Sequence, residues 1–329
     1  LYLIANNLLR EGFPITVYFS ARILMYSLFF ICASQVLSRG KITKQIVQVL
    51  STSLIWQSAL IIFQFASQKS QGLWFLGERS FDSATVHIAN IDFFSASYLR
   101  SYGTFPHPNV AGAFLTLTLI FIMINLDHLK GLKTHTIVKS ASLFAVFGTL
   151  LTFSRSAFAT LVLISIFISS NLKSLIVKLI ATSLALIFLL PLLLNTQLAS
   201  VAERLTLTQA SLNIAGKNLF FGVGNTNFLT HLASLNLTSL AQTRLIQPVH
   251  NVFLLILAEN GLVGFVLFMA FLFFVSQKAQ SKGKLLLFAA ILLFASLDHF
   301  LWTLVPGQLI LWLSLALALA ASRPVPLRP

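Results

Sequence analysis

The run Asn-Val-Phe-Leu-Leu-Ile-Leu-Ala-Glu-Asn-Gly-Leu-Val-Gly-Phe-Val-Leu-Phe-Met-Ala-Phe-Leu-Phe-Phe-Val-Ser, residues 251–276, contains one ionisable side chain, Glu259. About 20 mainly apolar residues are enough to cross the hydrocarbon of a bilayer as a helix, and this run exceeds that. Eight further apolar runs occupy residues 16–38, 46–66, 108–126, 138–153, 157–171, 174–194, 285–302 and 305–321. None alternates with a period of two, so an outer-membrane barrel is not expected. The whole chain agrees: 57% of 329 residues are hydrophobic and 9% are charged, with a mean hydropathy of +0.88. A soluble surface needs about a quarter of its residues charged. The expected fold is therefore all-α, a polytopic transmembrane bundle of about nine spans forming one membrane domain over residues 1–329.

The formal charge of +14 comes from 22 Lys and Arg against 8 Asp and Glu. These charges lie between apolar runs and form no basic patch, so nucleic acid is not the expected partner. Cys32 is the single cysteine, which excludes an internal disulfide or a cysteine-built zinc site. Lys and Arg in short loops mark the cytoplasmic side. Arg39, Lys41, Lys44, Lys130, Lys133, Lys139, Lys173, Lys178, Lys278, Lys282 and Lys284 fall together on one side, with Arg323 and Arg328 in the tail. The opposite side then holds two long loops, 67–107 and 196–249. It carries two lysines, Lys69 and Lys217, but seven arginines: Arg10, Arg22, Arg79, Arg100, Arg155, Arg204 and Arg244. Topology accounts for the lysines. Arginine on the far side suits bidentate recognition of phosphate. Nine spans with a cytoplasmic C-terminus place Leu1 outside, so the chain reads as the C-terminal part of a longer protein.

Four motifs face that side. Pro248-Val-His250-Asn251 heads the seventh span, with Glu259-Asn-Gly-Leu-Val-Gly264 below it. His250 is expected one or two helical turns above Glu259, where a neutral imidazole accepts a proton near pH 7. Gly261 and Gly264 read as close helix packing. Arg100-Ser-Tyr-Gly-Thr-Phe-Pro-His107-Pro-Asn109 leads into the third span, with Asn109 as the expected N-cap. Thr152-Phe-Ser-Arg155-Ser places an arginine between two short spans. Glu203-Arg204 precedes Gly222-Val-Gly224, a tight turn; apolar residues at 198, 201, 205 and 212 predict a helix lying flat on the membrane. There is no DxD, HExxH, GxSxG or Walker sequence. The carboxylates Glu11, Glu78, Asp82, Asp92 and Glu203 are scattered, so neither a metal nor another cofactor is expected, and charge neutralisation falls to arginine.

In order and topology these motifs resemble the O-antigen ligase and O-antigen polymerase superfamily of bacterial membrane glycosyltransferases. The matching pieces are Arg100–Asn109, Phe153–Ser156, Arg204 ahead of Leu219–Asn225, and His250-Asn251 with Glu259–Gly264. The resemblance implies about twelve spans in a bacterial inner membrane and an active site facing the periplasm. It implies a glycan donor linked to undecaprenyl pyrophosphate and an acceptor hydroxyl on lipid A core, a growing polysaccharide or another molecule. His250, Arg204 and Arg155 are the expected catalytic residues, and Arg100, Asn251, Glu259, Arg244 and His107 the expected substrate-binding ones. Arg204 is followed by Leu-Thr-Leu-Thr-Gln-Ala where many relatives carry a tryptophan, which leaves Arg244 as the fallback. Direct displacement would invert the anomeric centre without metal. Two other readings remain open: a chain polymerase of the same superfamily, and a solute transporter.

Overall fold

A computed structural model describes residues 2–10, 13–38, 43–93, 96–125, 132–168, 197–235, 246–279 and 281–320. Helices dominate, with about 75% of the described residues helical and almost no strand among them. They are α1 (Tyr2–Arg10), α2 (Phe13–Ser38), α3 (Thr43–Ser67), α4 (Pro108–Ile124), α5 (Leu132–Leu151) and α6 (Arg155–Ile168). After them come α7 (Gln197–Lys217), α8 (Phe228–Ser234), α9 (Val252–Lys278), α10 (Lys282–Leu297), α11 (Phe300–Thr303) and α12 (Val305–Leu319). Among the described residues, Val17–Ser38, Gln45–Ser67 and Val252–Lys278 are long and apolar enough to cross a membrane; α4, α5, α6 and α12 are shorter apolar helices. The expected span at 174–194 lies outside the described residues. A two-stranded antiparallel hairpin, β1 (Asn90–Phe93) and β2 (Ala96–Leu99), sits in the loop after α3.

Helix α4 is the axis of the bundle. Apolar all round, as a fully enclosed helix must be, it buries residues on every face, from Val110 to Ile122. It packs against α3, α5, α6, α10 and α12. Gly112 is what lets the α5–α6 turn approach: a Cβ there would lie 2.8 Å from Ala157 Cβ and 3.0 Å from Ser154 Cβ. That turn reverses the chain through Phe153, at φ +49°, a conformation seldom adopted by bulky residues.

The span 251–276 is not one continuous helix. Gly261 sits at φ 64°, ψ −170° and breaks α9 into an upper and a lower half. In apolar surroundings each freed backbone group must find a partner, and the segment after α7 supplies them. The Val223 and Gly224 N–H groups donate to the carbonyls of Ala258 and Glu259, at 3.0 and 2.8 Å. Below the break, the Leu262 and Val263 N–H groups donate to the carbonyls of Leu219 and Phe220, at 2.7 and 3.2 Å. Gly222 and Gly224 have positive φ, as a tight turn requires. Gly261 is therefore a backbone requirement and not a packing residue. A Cβ on it would lie 2.3 Å from Phe220 O, whereas Gly264 does sit in close packing, against Asn260 and Tyr2.

Helix α7 forms as expected and packs a second apolar face on α9. Leu207, Ala210 and Ile214 are buried with Leu255 and Ala258 of α9. Val201, Leu205 and Leu212, from the stripe expected to lie on the membrane, are exposed. The helix is apolar on two faces, and packing against α9 wins one of them.

Gly261→Ala and Gly222→Ala meet backbone, which cannot yield as a side-chain tip can. Each is expected to cost about 2 kcal/mol or more through strain and lost stitching hydrogen bonds. The check is thermal unfolding in detergent, where both variants should melt well below Gly216→Ala, whose added Cβ would meet open space.

Candidate functional site

At the head of α9 two distant pieces of chain converge. His250 lies just before the helix in a bend, not within a helical turn as expected. Asn251 is the N-cap, its side-chain oxygen accepting from Leu254 N–H at 3.0 Å. The Asn251 amide also donates to the Ser296 carbonyl at 3.1 Å, so both of its ends hold the junction of α9 with α10. The run 285–302, expected as one span, stops at Leu297. Asp298 caps it in extended backbone, donating its N–H to Phe294 O at 3.0 Å. Asp298 and His299 thereby face His250: the two imidazoles are 5.3 Å apart, edge to face. Ligand atoms of His250, Asp298 and His299 lie within 4.8 Å of one another.

A hydrogen-bonded relay ties this cluster to the first loop. Arg100 donates through Nε to the Thr152 carbonyl at 3.0 Å and through Nη2 to Asn109 Oδ1 at 2.8 Å. Asn109 Nδ2 donates onward to Asp298 Oδ2 at 2.7 Å, and the His299 N–H donates to Oδ1 at 2.7 Å. Asn109 is thus not the cap of α4. Pro108 takes the first helical position, where a missing N–H costs nothing. His107 becomes the cap, its Nδ1 accepting from Asn109 N–H at 3.1 Å. This frees the Asn109 side chain to bridge cation and carboxylate.

Charge follows from burial. The Arg100 guanidinium is lowered to about 10 by desolvation, and by Arg155 and Arg204 nearby, yet it stays protonated at neutral pH. Burial is also the main cause at the imidazoles, pushing His250 down to about 4 and His107 to about 3. His299 is lowered for the same reason. Burial alone would raise the Asp298 carboxyl; the imidazoles of His299, His250 and His107, with the Asn109 hydrogen bond, outweigh it and hold it below its ordinary value. The resting site at pH 7 therefore holds neutral imidazoles, one carboxylate and three guanidiniums. Arg155 is exposed at the start of α6. Arg204 reaches from α7 to donate to the Leu297 carbonyl at 3.3 Å. His250 Nδ1 is buried with no hydrogen-bond partner among the described residues.

His250, Asp298 and His299 have the donor types of a divalent-metal site. Both Asp298 oxygens and His299 Nδ1 are already engaged, the latter with Thr303 Oγ1 at 2.7 Å, and the surrounding field is cationic. The arrangement suits an anion better.

Of the expected site residues, the structure gathers His250, Arg204, Arg155, Arg100, His107 and Asn251. Glu259 lies apart, buried at the break in α9, with its carboxylate accepting from Thr226 N–H at 3.0 Å. Arg244 is outside the described residues. Sequence reasoning missed Asp298 and His299 as members. Their signal is an ionisable pair inside an apolar run, which in a membrane segment marks function by default.

These features define a polytopic helical membrane protein with a cationic, histidine-bearing site where distant chain segments meet. A model of the O-antigen ligase family matches residues 140–269, which include Arg155, Arg204, His250 and Glu259. That match supports the resemblance to the O-antigen ligase and polymerase superfamily, and with it an O-antigen ligase- or polymerase-type membrane enzyme. No curated protein matches the chain.

The depressed imidazoles set a stability signature. The folded chain binds protons less readily than the unfolded chain between the ordinary histidine value of about 6.5 and the lowered ones. Stability is then full above about pH 6.5 and falls as pH drops towards 4. Each of His250 and His107 contributes up to about 1.4 kcal/mol per pH unit in that window. Melting temperatures in detergent from pH 7 to pH 4 should show the decline, and His107→Asn should flatten it.

Proposed function

We propose that the chain is an O-antigen ligase-like glycosyltransferase, moving a glycan from undecaprenyl pyrophosphate to an acceptor hydroxyl at the periplasmic face of a bacterial inner membrane. The observation that carries this reading is the pairing of Arg100, Arg155 and Arg204 with a proton-accepting cluster of His250, Asp298 and His299. Guanidinium forks match the donor pyrophosphate and stabilise the charge that grows as it leaves. His250 takes the proton of the acceptor hydroxyl while that oxygen attacks the anomeric carbon. The bond from that carbon to the pyrophosphate oxygen breaks, inverting the centre, and the lipid pyrophosphate departs. Asp298 raises the affinity of His250 for a proton, so it stabilises the imidazolium that forms. Arg204 works in the opposite sense in the empty site. A bound pyrophosphate offsets it and brings His250 up towards its ordinary value.

Asn251 and Asn109 act by holding His250 and Asp298 in place. Glu259 is remote from this cluster and supports the break in α9. No step needs a metal ion, because three cations already flank the leaving group. Ligase and polymerase differ only in the acceptor presented to the same site. A transporter would need its charged groups along a path through the bundle, whereas these are gathered at one end.

His250→Ala is expected to abolish glycan transfer from a purified lipid-linked donor while donor binding persists. Arg155→Ala and Arg204→Ala should weaken donor binding about ten-fold or more each, the scale of a lost charge-assisted hydrogen bond. Transfer should be unchanged in EDTA. Full activity of His250→Ala would remove the assignment, and loss in EDTA would remove the metal-free route.

A further inference from the structure

The loop between α3 and α4 has a small apolar core of its own, in which Phe81, Leu99 and Tyr102 are buried together. Trp74, Phe75 and Leu76 lie outside it. They form one 3-10 helical turn with no buried residue, and are 78%, 65% and 46% exposed. The turn is not loose. Gly77 closes it in a left-handed conformation, at φ 90°, with its N–H donating to the Trp74 carbonyl at 3.0 Å. The buried Glu78 carboxyl holds the approach to the turn, accepting from the Leu73 and Gln71 N–H groups at 2.6 and 2.7 Å. Taking a carboxyl out of water is costly, and here its hydrogen bonds fix three large apolar side chains facing outward. In water that arrangement would work against the fold twice over, since apolar surface gains free energy by leaving water.

The depth of the turn follows from a third contact of the same carboxyl. Gln64 Nε2 donates to Glu78 Oε1 at 2.8 Å, and Gln64 lies three residues before the end of the apolar span Gln45–Ser67. At 1.5 Å per residue that is about 4.5 Å inside the span. Glu78, two residues beyond the turn, is therefore level with the last turn of a helix long enough to cross the membrane. At this level α3 itself shows Phe63 to its surroundings, 62% exposed, as a lipid-facing side chain is. Tryptophan is enriched at the boundary between headgroups and hydrocarbon. The exposed cations Lys69 and Arg79 lie on either side of the turn in sequence, where they suit lipid phosphates. We propose that Trp74, Phe75 and Leu76 form a membrane anchor that inserts into the leaflet at the Ser67 end of α3. The anchor is tied to the site. Gln64 Oε1 accepts from the Tyr102 and Gly103 N–H groups at 3.0 and 2.8 Å, and Arg79 Nη1 donates to the Pro106 carbonyl at 3.5 Å. It thereby sets the height of the segment carrying Arg100 and His107 against the lipid surface. Neither statement depends on the glycan-transfer reading.

Cys32 is the single cysteine and is exposed, so Cys32→Ser with Phe75→Cys gives one labelling position. The full chain is labelled there with bimane and placed in nanodiscs of phosphatidylcholine and phosphatidylglycerol. Lipids bearing a nitroxide near the top of the acyl chain report insertion, and aqueous iodide reports exposure to water. Strong quenching by the nitroxide lipid and weak quenching by iodide are expected. Adding Trp74→Ser and Leu76→Ser, both at exposed positions, should lower the lipid quenching several-fold and raise that by iodide. Iodide quenching as strong as for free bimane, with no effect of the nitroxide lipid, overturns the anchor and leaves the turn facing water. Protection from both quenchers overturns it as well, and points to a protein surface instead. Lipid quenching that the two serines leave unchanged has the same force, because the label alone would then be seeking the bilayer. The tie to the site is read by hydrogen exchange in the same nanodiscs. Amides of residues 101–105 should exchange several-fold faster when Trp74, Phe75 and Leu76 are all replaced by Ser, and equal rates overturn the tie.

Discussion

A helix in apolar surroundings has no water to satisfy a broken backbone, and that constraint organises the molecule around Gly261. The break frees carbonyls above it and N–H groups below it, and residues 219–224 supply partners for both. The loop carrying Gly222 and Gly224 is thereby fixed to α9 by backbone alone, without dependence on side-chain identity. Helix α7 leads into that loop and brings Arg204 with it. The upper half of α9 carries His250 and Asn251 at its head. The placement of a guanidinium and an imidazole on the same side of the bundle is thus a consequence of how one helix interruption is satisfied.

The second organising contact is the chain Arg100–Asn109–Asp298. It joins a loop, the first turn of α4 and the end of α10, which are nearly two hundred residues apart in sequence. A buried carboxylate needs donors to stay ionised, and Asp298 has the Asn109 amide and the His299 N–H. Arg100 in turn closes the α5–α6 turn through Thr152, where Arg155 begins α6. Arg100 and His299 come to one place because a single carboxylate is satisfied from both sides, through Asn109 and through the His299 N–H.

The apolar runs were readable because bilayer hydrocarbon imposes length and composition directly, and α2, α3, α4 and α9 fall where those runs predict. The Gly222–Gly224 turn was readable as well, since two glycines two residues apart allow positive φ. Other features depend on tertiary partners and leave weaker traces. Asn109 looks like a helix cap by local rules, but Pro108 moves the start of α4 back by one residue and gives Asn109 a different task. Gly261 looks like a packing glycine until residues 219–224 are known to lie against it. On α7 the stripe Val201, Leu205, Leu212 is a valid periodic signal, yet the face packed on α9 is another, because the helix carries two. Asp298 and His299 were concealed by the apolar residues on either side, which made one span of what is a helix, a cap and a short turn. His250, Arg155 and Arg204 stood out for the opposite reason: each is a polar side chain that topology alone does not explain.

The three guanidiniums also bear on how a catalytic cycle would end. Under the proposed reaction the donor's diester-like pyrophosphate becomes a leaving group with one more ionisable oxygen. A cationic pocket holds the more highly charged species more tightly. The very feature that assists bond breaking would then retard departure of the spent carrier, making turnover depend on how fast the membrane clears that product and not on the speed of glycosyl transfer itself.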